Sequence, residues 1–242
     1  DEALGDLINL KIFVGKTDEA IQLLKGRTFT IAEGSNAFNT GQAWTDVHLV
    51  RGLKFFGMKK YSEALSNLQM ALTPPENLKA QPGRNSRQAQ ISYWIGCSYE
   101  ALRQKDKATQ SWKEVVTITS SRTDKPNADG GRGFLNAFQA EQCYYIALVQ
   151  KKLGIADKGE AVLKELAATN TTEVSNQSDN PGDPQFVAAR RLSSHDNSAI
   201  PHYSAGLGYA GLGNKSKARE EFTAALAASP DFLSAKIALD LL

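Results

Sequence analysis

The chain has 242 residues, 41% of them hydrophobic and 22% charged, which is enough apolar content for a folded core and argues against extended disorder. Twenty-eight Lys and Arg against 26 Asp and Glu leave a formal charge of +2, too balanced to supply the basic field that nucleic-acid binding uses. No apolar run approaches the roughly 18 residues needed to span a bilayer, so membrane insertion is not expected.

The sequence begins at Asp1, enters helical periodicity within a few residues, and reads as a processed or cut-out piece. Its compartment stays open between cytoplasm and periplasm. Cys97 and Cys143 lie in no CxxC or Cys/His spacing and define neither a disulfide framework nor a zinc site.

Taken in chain order, one frame recurs five times, with units starting near residues 1, 45, 89, 140 and 199. The first carries Val14, Gly15, Ala20 and Leu24; the second Gly52, Phe55, Tyr61, Ala64, Leu68 and Ala71. The third holds Gly96, Tyr99, Ala108, Trp112 and Val115, and the fourth Ala147, Leu153, Gly154, Gly159, Leu163 and Leu166. The fifth is the clearest: Gly206 stands at position 8 of its unit, Tyr209 at 11, Gly213 at 15, Ala218 at 20, Phe222 at 24, Ala225 at 27 and Pro230 at 32.

A small residue at position 8 and another at position 20 let two antiparallel helices approach. Position 15 is a left-handed turn suited to Gly, and position 32 ends the second helix with Pro. The unit starts are 44, 44, 51 and 59 residues apart, so insertions separate the units. These insertions read as loops over 26–41, 74–86, 120–133 and 169–184. A short extra helix is expected over 185–192 and an apolar capping helix over 231–242.

This frame resembles the tetratricopeptide repeat (TPR). The resemblance implies an all-α, right-handed α-α superhelix of five helical hairpins plus the capping helix, forming a single domain over residues 1–242. The runs Asp18-Glu19-Ala20-Ile21-Gln22-Leu23-Leu24, Arg27-Thr28-Phe29, Glu33-Gly34, Pro75-Glu76-Asn77-Leu78 and Tyr93 to Leu102 also resemble the C-terminal TPR region of large bacterial proteins. Those proteins carry an N-terminal β-sandwich domain of unknown function. That second resemblance implies a scaffold or docking arm, with any chemistry placed in the sandwich.

Several chemical motifs have plainer explanations. Gly206-Leu207-Gly208-Tyr209-Ala210-Gly211 matches GxGxxG, yet it falls inside a predicted helix rather than at a strand-to-helix turn, so the glycines are expected to serve packing and not a dinucleotide. Asp129-Gly130-Gly131-Arg132-Gly133 reads as a turn rather than a phosphate cradle. His48 and His202 share position 4 and are expected to pack between helices. Ser193-Ser194-His195-Asp196 is too contiguous for triad geometry, and Glu33, Glu76 and Asn77 are expected to form turns and caps rather than a glycosidase pair.

No catalytic set, cofactor or metal site is therefore expected. The candidate partner-binding groove is lined by position 5 of the first helices, occupied by Leu49, Tyr93, Tyr144 and Tyr203, with Glu100, Glu141 and Lys151 beside it. The alternative is that these tyrosines pack between hairpins. The functional expectation is a non-enzymatic module binding a protein segment or another domain of its parent chain. A carbohydrate-binding or carbohydrate-processing accessory role is the competing expectation, and a groove filled by the chain's own loops is a third.

Overall fold

A helix that ends in a left-handed residue turns its chain back sharply, and this chain does so five times at the same place. Residues 2–27, 29, 38–78, 87–120, 137–169 and 199–242 are described by the computed structural model. Among them every regular element is helical. The elements are α1 (Glu2–Phe13), α2 (Thr17–Lys25), α3 (Thr40–Gly57), α4 (Tyr61–Leu72), a 3-10 turn (Glu76–Leu78), α5 (Gln88–Ala101) and α6 (Lys105–Ser120). They continue with α7 (Ala137–Lys152), α8 (Ala156–Ala167), a helix α9 over 199–211, α10 (Lys215–Ala228) and α11 (Leu233–Asp240).

The described first helices end at position 13 of the frame and the second helices begin at position 17, in all five units. Position 15 has positive φ each time: Gly15 (76°), Lys59 (60°), Arg103 (61°), Gly154 (80°) and Gly213 (83°). The amide of position 16 donates to the carbonyl of position 11 at 2.8–2.9 Å, as in Lys16 to Lys11 and Asn214 to Tyr209. The amide of position 15 donates to the carbonyl of position 12, as in Gly15 to Ile12. Together these bonds make the Schellman termination, which satisfies carbonyls that the end of a helix leaves free.

Position 16 also begins the second helix. Asn214 caps it with its side chain, accepting from the Lys217 amide at 3.2 Å, whereas Lys16, Lys60 and Ile155 have no side-chain cap.

Inside three of the hairpins a glycine at position 8 makes room for a large side chain. A methyl on Gly96 would lie 2.2 Å from Trp112 Nε1, and one on Gly206 would lie 2.5 Å from the Phe222 ring. At Gly52 the nearest atom is Leu68 Cγ at 2.9 Å, with the Ala64 carbonyl at 3.3 Å. The direct contact expected between positions 8 and 20 is closest at α7 and α8, where a methyl on Gly159 would sit 2.6 Å from the Ala147 carbonyl oxygen. Elsewhere the side chain at position 24, four residues beyond position 20, occupies the space that Gly leaves. One helical turn puts positions 20 and 24 on the same face, so both serve a single crossing.

The described helices fall into two compact units, Asp1–Ile118 and Thr119–Leu242. In the first, α1 packs on α2 and α3, α2 on α3, α3 on α4, and α4 on α5. Its core includes Ile8, Leu24, Val47, Leu49, Leu68 and Ile91. In the second, α7 packs on α8 and α10 on α11, and a core of Ala140, Leu166, Tyr203, Leu207, Phe222 and Ala235 joins α7, α8, α9, α10 and α11.

The expected helix over 185–192, the motifs at 129–133 and 193–196, and Glu33 lie outside the described residues. The C-terminal helix expected over 231–242 is present as α11, whose Ala235 and Ile237 are buried.

Candidate functional site: the first-helix faces

The first helices of neighbouring hairpins are tied to each other by polar side chains in both units. In the first unit Asp46 of α3 accepts from Arg87, the residue before α5, and from Gln42 at 2.9 Å. Arg87 Nη1 also donates to Gln90 Oε1 at 3.2 Å. Both partners of the Asp46–Arg87 pair are largely buried. Taking ions out of water is costly, so a buried pair persists where geometry and added hydrogen bonds offset desolvation. Gln42 and Gln90 supply such bonds.

In the second unit Glu141 of α7 accepts from the Tyr203 hydroxyl of α9 at 2.6 Å, with both residues buried. Asp46, Gln90 and Glu141 all stand at position 2 of their units. The shared position links the two networks, although their partners differ.

The residues read from sequence as a groove divide by depth. Leu49 is wholly buried and Tyr203 is 2% exposed, its ring 6.0 Å from Phe222 and 4.9 Å from Phe232. These two are packing residues of their units. Tyr93 is half-buried, edge-on to Trp94 at 5.5 Å, and its backbone carbonyl accepts from Trp112 Nε1 at 3.3 Å. Tyr144 is half-buried beside Tyr145, ring centroids 5.0 Å apart, and burial pushes its phenol up to about 12. Glu100 and Lys151 are exposed, and Lys151 Nζ donates to the Gly211 carbonyl at 2.7 Å. The part of the candidate site that reaches the surface is therefore Glu100 with the half-buried Tyr93 in the first unit, and Lys151 with the half-buried Tyr144, its phenol enclosed, in the second.

The glycines of the GxGxxG run have separate packing tasks on α9. Gly206 faces the Phe222 ring of α10, whereas a methyl on Gly208 would lie 2.2 Å from the Ala167 amide nitrogen and one on Gly211 2.3 Å from Leu163 Cδ2, both on α8. The α9 backbone thus meets one helix on each side, and the run sits in mid-helix rather than at a phosphate-binding helix start.

Position 4 carries partners that the sequence did not announce. His48 Nδ1 lies 3.2 Å from Asn67 Oδ1, and His202 Nδ1 lies 2.7 Å from Glu221 Oε2; both partners stand at position 23. Asn67 spends its amide group on the Glu63 carbonyl, so its oxygen faces His48 and fixes the proton on Nδ1. His48 Nε2 is then a buried acceptor without a partner among the described residues. Burial pulls His48 down to about 4 and keeps the imidazole neutral.

Asn77 donates to the Leu24 and Arg27 carbonyls at 3.2 and 2.9 Å, closing the end of α2. The Cys143 thiol is pushed up, chiefly by burial, away from the reactive thiolate form. Among the described residues no group of three or more His, Cys, Asp and Glu is placed to hold a metal, and no helix is long and apolar enough to cross a membrane. No protein-family model matches the chain, and no curated protein matches it.

Proposed function

We propose that the chain is a TPR-like solenoid acting as a non-enzymatic interaction module, presenting the exposed parts of its first helices to a protein segment or to another domain of its parent protein. The observation that carries this reading is the recurrence of one helix-turn-helix termination at position 15 of five units, with a small residue at 20 and a large one at 24 in all five and a small residue at 8 in four of them. Repeated hairpins of this kind stack into extended surfaces whose use is contact. A right-handed superhelix is the arrangement the repeat implies. The Tyr93/Glu100 and Tyr144/Lys151 pairs add an aromatic ring and an exposed charge, a combination suited to holding a peptide.

A displayed library of random peptides, selected on the full chain and measured by calorimetry, tests the reading. Selected peptides should bind with 1:1 saturation. Either Tyr93→Ser with Glu100→Lys, or Tyr144→Ser with Lys151→Glu, should weaken them at least about tenfold, a loss of about 1.4 kcal/mol. Binding untouched by both double variants, with helicity retained, would remove the first-helix faces from the account. Saturable binding of a glycan and none of any peptide would favour a carbohydrate-binding role instead.

A further inference from the structure

In the first compact unit, positions 13–17 of the three hairpin turns hold Lys16, Lys59, Lys60, Arg103 and Lys105, all exposed, and no Asp or Glu. Acids return at positions 12, 18 and 19, yet from position 10 to position 19 the three spans together carry a net +3, against +2 for the whole chain. Position 14, the tip of each turn, is apolar: Val14 is 55% exposed, Met58 53%, and Leu102 half-buried. The turns of the second unit repeat the pattern with Lys152, Leu153, Leu212 and Lys215.

The three turns share one edge of their unit. Lys25 and Asp18 of α2 meet Trp44 and Arg51 of α3 in reversed order, so α1, which is paired across its turn with α2, runs the same way as α3. Asp46 and Phe56 of α3 meet Arg87 and Trp94 in forward order, so α5 runs that way too. The turn edge is therefore a row of cations set among projecting apolar tips, with no groove between them.

We propose that this edge docks on an anionic lipid surface, its Lys and Arg meeting acidic headgroups while Val14 and Met58 enter the headgroup layer. Charge complementarity selects the surface, since cations within a Debye length of acidic headgroups are attracted to them, and apolar tips beside those cations gain by leaving water. An acidic peptide or a nucleic-acid duplex would instead bring its own charges against Val14 and Met58. The docking is peripheral, because no helix among the described residues is long and apolar enough to cross a bilayer.

Flotation of the full chain with vesicles of about 30% phosphatidylserine in phosphatidylcholine, at about 50 mM salt, reads the proposal directly. The chain should float with these vesicles, stay behind with pure phosphatidylcholine, and be released as salt rises to about 500 mM. Lys59→Gly combined with Arg103→Gly, which suits the left-handed turns, should lower the partition coefficient at least about tenfold, as should Lys60→Ser with Lys105→Ser. Val14→Ser with Met58→Ser should lower it at least about threefold. No flotation at low salt, or flotation unchanged in all three double variants with helicity retained, overturns the proposal. Loss confined to the charge variants overturns the lipid assignment and leaves the edge to an acidic protein segment; loss confined to the apolar variant overturns the requirement for anionic lipid.

Discussion

At the scale of single residues, the positions that matter most are those where an added methyl has nowhere to go. Gly208 is the extreme, because the obstruction at 2.2 Å is backbone of α8 and cannot rotate aside. Gly57, in the last turn of α3, has nothing within 4 Å. Gly208→Ala should therefore lower stability by about 2–3 kcal/mol through overpacking. Gly57→Ala should leave it unchanged or raise it by up to about 1 kcal/mol through helix propensity and reduced unfolded-state freedom. Urea denaturation of the two variants beside the parent checks the contrast.

His48 offers a second test, in pH. Its folded value of about 4 lies below the ordinary 6.5, so between these limits the unfolded chain takes up a proton that the folded chain refuses. Stability from this group is full above pH 6.5 and falls as the pH drops toward 4, by about 3 kcal/mol in all. The lowered carboxyls of Glu19 and Glu160, held down by Lys11 and Lys164, act in a lower window, below their ordinary value of 4.5. Denaturation midpoints of the parent and of His48→Gln, followed from pH 7 to 4.5, should converge as acid is added. Parallel curves would contradict a buried neutral imidazole.

At the scale of elements, the hairpin turn explains both what was legible in the sequence and what was not. Gly15, Gly154 and Gly213 advertise a left-handed residue, and the structure has one at each. Lys59 and Arg103 adopt the same conformation with nothing in their side chains to signal it; only the spacing from Gly52 and Gly96 places them. The hydrogen bonds of the turn compensate their backbone strain. Lys59→Gly and Arg103→Gly should each stabilise the protein by up to about 1 kcal/mol, while Ala at Gly15, Gly154 or Gly213 should cost about 1 kcal/mol or more. Thermal unfolding of these five variants should split them into two groups of opposite sign.

The polar ties between first helices were beyond the sequence for a different reason. Asp46 and Arg87 are 41 residues apart, and Glu141 and Tyr203 are 62 apart, so no local period connects them. The depth of position 5 was hidden as well. A tyrosine there is half-buried at 93 and 144 but in the core at 203, because Phe222 and Phe232 close around it.

At the scale of the whole molecule, the proposed account is that of a repeated scaffold whose exposed first-helix residues make contacts and whose buried ones hold it in shape. The imidazole at 48 is neutral and enclosed, and the GxGxxG glycines Gly206, Gly208 and Gly211 each accommodate a neighbouring helix. In the proposed reading, what carries information outward is the set of side chains left on the surface of a repeated frame. The most direct test is the pattern of backbone amide chemical-shift changes when a selected peptide is titrated into the isotope-labelled chain. The account predicts that the largest changes fall along α5 and α7, around Tyr93 to Glu100 and Tyr144 to Lys151; changes confined to the second helices α4, α6 and α10 would contradict it.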